Sequence, residues 1–180
     1  MEKKSFPLMI DNILIENIKK LTNEYCTNNK KMIYLKKSKK EECSKYVWKN
    51  ITPSKILIES TIFINENKIY INYPIFKLYV HNEIYDIIIN YIMNCILKIK
   101  NEYNNYEIHI NINGFTISAA QRYYEFINNI FNILFNVKNI NYLYKIYIYN
   151  PPSTIEYLKP LFINITNNNN VKDKIIIFYS

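Results

Sequence analysis

Two histidines, His81 and His109, three cysteines and a scatter of carboxylates hold most of the side chains with which this chain could do chemistry. Zinc sites draw Cys and His ligands at short, repeated spacings. Cys26, Cys43, Cys95, His81 and His109 show no such rhythm, so no metal is expected. Nucleophilic catalysis needs a hydroxyl or thiol beside a base. Ser118 and His109 qualify by type, yet each fits a local role better, Ser118 capping a helix and His109 hydrogen-bonded in a strand. Asp86 and Asp173 have no visible carboxylate partner for acid–base work. With Gly114 the one glycine in 180 residues, neither a glycine-rich phosphate loop nor a dinucleotide fingerprint can be built. No cofactor is expected, and the chain reads as non-enzymatic.

What remains is a chemistry of binding. Isoleucines at Ile69, Ile71, Ile108, Ile110, Ile112, Ile146 and Ile148 alternate with Tyr70, Asn72, Glu107, His109, Asn111, Tyr147 and Tyr149. Alternation of period two puts the two sets on opposite faces of a sheet. A sheet covered by helices on both sides should be apolar on both. One face is therefore expected to pack helices. The other, carrying Tyr70, Asn72, His109, Asn111, Tyr147 and Tyr149, is expected to meet a ligand, a partner or partly water.

The elements that must position these residues follow from local pattern. Asp11 to Tyr25 predicts an amphipathic helix with Ile10, Leu14, Ile18, Leu21 and Tyr25 on one side and Asp11 as its cap. Lys55–Phe63 and Lys68–Tyr73, separated by residues 64–67, predict a β-hairpin at a sheet edge. Asn82 is expected to cap a helix from Glu83 to about Lys100, striped by Ile84, Ile88, Tyr91, Cys95 and Ile99. A strand over residues 106–112 ends at Asn113-Gly114, where glycine supplies a positive φ or a close backbone approach. Thr116 or Ser118 then starts a long helix to about Asn136, with Ala120, Tyr123, Ile127, Ile130 and Leu134 inward. A strand to Tyr149, a turn at Asn150-Pro151-Pro152, a helix from Ser153 to about Ile163 and a strand over residues 174–179 form a parallel βαβ unit. The fold class is α/β: a mostly parallel sheet with helical crossovers and an antiparallel edge hairpin.

Composition bounds the setting. The chain has 18 tyrosines, a single arginine (Arg122) among 23 basic residues, and a net charge of +8. Ile, Asn and Lys share A/T-rich codons, which points to an A/T-rich genome such as that of a large DNA virus or some protists. The positive charge permits an anionic membrane surface or nucleic acid as partner without demanding either. Nucleic acid is the weaker option, because the tyrosines alternate along strands instead of forming an RNA-binding motif. The lysine cluster around Lys36, Lys37, Lys39 and Lys40 reads first as a solvated face and second as an anionic-partner patch. Three cysteines, with no leader sequence, fit a reduced cytoplasmic setting, in a host cell or a virus particle if the source is viral. The apolar run over residues 84–99 is interrupted by Asp86, Asn90 and Asn94, so any membrane contact is expected to be peripheral.

The order Lys145-Ile146-Tyr147-Ile148-Tyr149-Asn150-x-Pro152, then Lys159-Pro160-Leu161-Phe162, then Lys174 to Phe178, resembles the C-terminal half of the CRAL-TRIO lipid-binding domain. Glu107 to Asn113 followed by Gly114-Phe115 resembles an earlier strand of that family. The resemblance runs over roughly residues 68–180, in a divergent and shortened form, and marks Gly114, Phe115, Asn150, Pro152, Lys159 and Pro160 as motif positions. It implies a CRAL-TRIO-like domain over residues 51–180; residues 1–50, too short for the helical domain that usually precedes the family's sheet and matching no part of it, are expected to form a helical, basic segment packed on the main domain. It also implies that the tyrosine-bearing face floors a pocket for a lipid or other small hydrophobic ligand, roofed by helices and a mobile gate. Here the floor is more polar than an acyl chain requires, and the sequence stops at Ser180, before the family's gate-contributing segment. These departures keep a second class open, a structural or protein-interaction component, for example of a virus particle, that has lost the pocket.

Overall fold

The structure, a computed structural model, describes residues 6–7, 12–29, 37–153 and 173–178. Five strands form one sheet in the order β1 (Ile62–Asn65), β2 (Lys68–Asn72), β3 (Tyr106–Asn111), β4 (Leu143–Tyr149), β5 (Ile175–Phe178). The β1–β2 pair is antiparallel, and β2–β3, β3–β4 and β4–β5 are parallel. The hairpin turns through Glu66 and Asn67, with Glu66 in the left-handed region at φ 56°. Parallel neighbours need crossovers. These are α4 (Tyr73–Tyr79) and α5 (Tyr85–Glu102) between β2 and β3, then α6 (Ile117–Arg122), α7 (Tyr124–Leu134) and α8 (Val137–Ile140) between β3 and β4. The expected helix from Ser153 to Ile163, with Lys159 and Pro160, lies outside the described residues beyond Ser153.

The aliphatic face is the core. Ile69, Ile108 and Ile146 are at most 1% exposed and join Ile88, Ile92, Ile96 and Ile99 of α5 in one cluster. Those four recur on one helical stripe, whereas Ile87 and Leu97 on the outer side are about half exposed. Each fully buried isoleucine is worth about 2 kcal/mol of transfer free energy. The same cluster takes in Leu14 and Ile18 of α1 (Asn12–Asn28) and Val47 of α2 (Lys37–Asn50). Trp48 of α2 stacks on Tyr79 at 5.8 Å and 15°. Leu21 is half-buried on the expected side of α1, while Ile10 and the proposed Asp11 cap lie outside the described residues.

Several elements differ from the sequence reading. Residues 55–61 are a helix, α3 (Lys55–Thr61), not the first arm of the hairpin. Leu57, Ile58 and Thr61 are the buried positions, which is a helical spacing, and Thr61 Oγ1 back-bonds to the Leu57 carbonyl at 2.7 Å. α4, with Pro74 in its first turn, was not expected; it carries Tyr73, Phe76 and Tyr79 into the core. A 3₁₀ turn, Asn82–Ile84, precedes α5, so the helix starts at Tyr85 and not on an Asn82 cap.

The long helix expected to reach Asn136 is broken at Tyr123, at φ −97° and ψ 14°. The break seats Tyr123 edge-on to Phe76 at 5.2 Å and Tyr73 at 6.2 Å. Thr116, not Ser118, caps α6, its hydroxyl accepting from the Ala119 N–H at 3.2 Å. Gly114 adopts φ 71°, as its place after the strand requires.

A candidate ligand-binding face

Register fixes which side chains share the second face. Phe63, Tyr70, His109 and Tyr147 are directly paired across β1 to β4, and Asn72, Asn111, Tyr149 and Phe178 across β2 to β5. Period-two geometry places both rows on one side, away from the isoleucines. The rings form a ladder across the sheet. Phe63 stacks on Tyr70 at 5.0 Å, Tyr70 lies 4.7 Å from His109, His109 stacks on Tyr147 at 4.7 Å, and Tyr147 stacks on Phe178 at 5.8 Å. Tyr149 closes a second path, 5.8 Å from His109 and 5.2 Å from Phe178. Offset and tilted aromatic pairs at these separations each add about 1 kcal/mol beyond buried area.

A hydrogen-bonded array sits inside the ladder. His109 Nε2 is 2.9 Å from Glu107 Oε2, and Nδ1 is 2.8 Å from the Tyr149 hydroxyl. An ionised carboxylate can only accept, so Nε2–H donates to Glu107 and, in the neutral ring, Nδ1 accepts from Tyr149. Both ring nitrogens are thereby engaged, and a base role for His109 would require giving up one of these bonds. Burial pushes the Tyr149 phenol up to about 12, with Tyr70, Tyr147 and Glu107 adding to the shift. Burial likewise raises the Tyr70 and Tyr147 phenols. The face therefore holds neutral phenols at ordinary pH.

At the C-terminal ends of the strands the asparagines satisfy one another. Asn111 Nδ2 donates to Asn72 Oδ1 at 3.3 Å, while Asn111 Oδ1 accepts from Asn150 Nδ2 at 3.0 Å and from the Asn113 N–H at 3.1 Å. Asn72 and Asn111 thus tie strand ends and turns together. Asn150, at φ 53°, turns the chain after β4.

The six expected face residues do come together, and five of them are closed from solvent. Tyr70, Asn72, His109, Asn111 and Tyr149 are 4–7% exposed, whereas Tyr147 is half-buried. Phe6 covers part of the face, 5.6 Å from both Tyr70 and Tyr149. Of the motif positions, Phe115 packs edge-on to Tyr73 at 4.9 Å, in the core and off this face, and Pro152 is half-buried. The sequence reading left out Phe63, Phe178 and Phe6, and counted Glu107 on the face without a role. Phe63 and Phe178 were accessible from period-two alternation once strand limits were known, whereas no local pattern marks Phe6.

Elsewhere, an open cleft of about 620 Å³ includes Lys45, Trp48, Lys49, His81 and Glu83 and shares no lining residue with the aromatic face. Lys45 pairs there with Glu83 at 2.7 Å, and His81 Nδ1 donates to the Tyr79 carbonyl at 2.9 Å. Among the described residues no three His, Cys, Asp or Glu side chains gather as a metal would require, and no helix is long and apolar enough to cross a membrane.

No family model and no curated protein matches the chain. The structure is similar to the crystal structure of Sfh5, a Sec14/CRAL-TRIO family protein, with a TM-score of 0.52 and 11% identity, covering 96% of this chain and 69% of that one. The fold is distantly CRAL-TRIO-like. Function must then be argued from the face itself.

Proposed function

We propose that this chain is a non-catalytic CRAL-TRIO-like module that holds a lipid or other small hydrophobic ligand against the aromatic face of its sheet. The observation that carries this reading is the unbroken ring ladder from Phe63 on β1 to Phe178 on β5, a run of ring surface that carries the Glu107–His109–Tyr149 array and the neutral Tyr70 and Tyr147 phenols as its polar groups. Binding sites of this kind combine apolar walls with a few fixed polar groups. In this reading residues 51–180 are the binding module and residues 1–50 a helical, basic segment packed on it. The setting is the cytoplasm, or a virus particle if the A/T-rich coding is viral, and contact with an anionic membrane is peripheral.

Closure of the floor favours a second reading. Tyr70, His109 and Tyr149 are buried, with Phe6, Phe63 and Phe178 of the same chain packed on the two tyrosines, as suits a structural or protein-interaction component that has lost its pocket.

Mass spectrometry of an organic extract separates the two. Protein purified from cells, or incubated with phospholipid vesicles, is expected to yield bound phospholipid or a similar amphiphile. Tyr147→Asp is expected to lose it, because an added carboxylate would share the face with Glu107 and face an apolar ligand, a cost of several kcal/mol. A lipid-free extract with no uptake from vesicles overturns the ligand reading in favour of the second.

A further inference from the structure

The open cleft beside Trp48 is built from a different part of the chain than the aromatic face. Lys45, Trp48 and Lys49 stand at i, i+3 and i+4 on α2, so they share one side of that helix. Lys55, the first residue of α3, and His81 and Glu83, at the 3₁₀ turn before α5, complete the charged lining. Three ammonium groups against one carboxylate leave the cleft positive even with His81 neutral. Lys45 commits one of its three N–H groups to Glu83 at 2.7 Å, and Lys55 one to Glu59 at 3.0 Å. Lys49 is exposed and has no ion pair among the described residues.

His81 separates this cleft from an ordinary lysine-rich surface. Its side chain is only 3% exposed, yet it lines the cleft. A carbonyl can only accept, so Nδ1–H goes to the Tyr79 carbonyl at 2.9 Å, and Nε2 of the neutral ring is an acceptor. Glu83 Oε2, 3.8 Å from Nε2, is an acceptor too and lies beyond hydrogen-bond reach. Nε2 therefore has no hydrogen bond among the described residues, although buried polar groups as a rule do. A proton on Nε2 turns it into a donor for an anion in the cleft.

We propose that this cleft holds a phosphate group, with Lys45, Lys49 and Lys55 as its charge partners and Nε2 of protonated His81 as its buried donor. Donors brought from α2, α3 and the 3₁₀ turn suit a tetrahedral oxyanion, whose oxygens point in several directions, better than a flat carboxylate. Ser54, whose hydroxyl makes no cap bond to α3, adds a neutral donor. Trp48 and Ile51 give the cleft an apolar wall for the organic part of a phosphoester. Binding is coupled to pH through His81. The groups around it are Lys45 and Lys49 of α2, Lys55 of α3, Tyr79 of α4 and Glu83 of the turn. Lys45 holds the Glu83 carboxyl below its usual range, and burial raises the Tyr79 phenol. Of the side-chain types present, histidine alone ordinarily changes charge between about pH 5 and 8.

The test uses the full chain, calorimetry, and the fluorescence of Trp48, the one tryptophan in the sequence. Sulfate is the first probe: it is tetrahedral and doubly charged and does not titrate near neutrality, so any pH dependence belongs to the protein. Its affinity is expected to fall about ten-fold between pH 6 and pH 8 as His81 loses its proton. His81→Asn keeps an N–H for the Tyr79 carbonyl but removes Nε2, and is expected to bind weakly with no pH slope. Lys49→Ala is expected to weaken sulfate about three-fold at every pH and keep the slope; being exposed and unpaired, it serves where His81→Asn fails to fold. No saturable binding, a flat pH profile in the wild type, a slope retained in His81→Asn, or full affinity in Lys49→Ala overturns the proposal.

Glycerol phosphate and phosphatidylcholine vesicles containing phosphatidic acid or phosphatidylserine then separate the sources of the phosphate. Displacement of sulfate by glycerol phosphate, with no preference between the two vesicles, assigns a soluble phosphoester. A preference for phosphatidic acid that Lys49→Ala removes assigns a lipid headgroup. If neither glycerol phosphate nor phosphatidic acid displaces sulfate, the phosphate assignment falls. The cleft shares no lining residue with the aromatic face, so anion binding here and lipid extraction there succeed or fail separately.

Discussion

The Tyr149 hydroxyl on β4 lies 2.8 Å from His109 Nδ1 on β3, although the residue opposite His109 in the register is Tyr147. The bond is a diagonal one, reaching two positions along the neighbouring strand, a span that aromatic side chains can bridge. Tyr147 meanwhile stacks on the imidazole at 4.7 Å, and Glu107 on the same strand face takes the other nitrogen. One histidine thus joins the ladder through its ring face and the polar array through its edge.

That double role is separable by mutation. His109→Phe keeps a ring in the ladder but strands the Tyr149 hydroxyl in a buried site, a loss of about 2 kcal/mol. Tyr149→Phe added to His109→Phe removes the stranded group and is expected to recover about 1 kcal/mol, because replacing both partners by apolar groups of similar shape costs little. Urea denaturation of the two single variants and the double variant measures the coupling. Strict additivity would mean that the bond contributes nothing.

Tyr149 also sets an alkaline limit. An unfolded phenol ionises near 10.0, whereas the folded Tyr149 phenol is held up to about 12 by burial. Between these values the unfolded chain has released a proton that the folded chain retains, so stability falls as pH rises. The contribution is complete below pH 10 and gone above about pH 12. Urea midpoints measured across this window should decline less steeply for Tyr149→Phe than for the wild type. Parallel declines would remove Tyr149 as a contributor.

Parallel pairing of β3, β4 and β5 was legible because isoleucine alternation is strong there and the intervening segments are long enough for crossovers. The shared face of Tyr70, His109, Tyr147 and Tyr149 followed from the same parity. Residues 55–61 were misread because Ile56, Ile58 and Leu57 fit a strand or a helix equally over so short a run. Thr61 decided it through its bond to the Leu57 carbonyl, which needs a helical turn. The break at Tyr123 answers to Phe76 and Tyr73, which are distant in sequence, so no local window contains it. Burial of the aromatic face and the arrival of Phe6 are long-range in the same sense.

The misread helix carries the last prediction. The Tyr79 hydroxyl donates to Thr61 Oγ1 at 3.0 Å, and Thr61 Oγ1 donates to the Leu57 carbonyl at 2.7 Å, with Tyr79 and Thr61 both fully buried. The pair pins α3 to α4 just before β1 begins at Ile62. Its two members are not equivalent. Tyr79→Phe deletes one neutral hydrogen bond and leaves Thr61 its bond to Leu57, a loss of about 1 kcal/mol. Thr61→Val instead leaves the Tyr79 hydroxyl buried with no acceptor, a loss of about 2–3 kcal/mol. The double variant should then be more stable than Thr61→Val alone. Urea unfolding with unchanged m-values would report these differences as shifts of midpoint. If Tyr79→Phe is as damaging as Thr61→Val, the hydroxyl chain is not what holds the two helices together, and packing of the Tyr79 ring on Trp48 must carry that role.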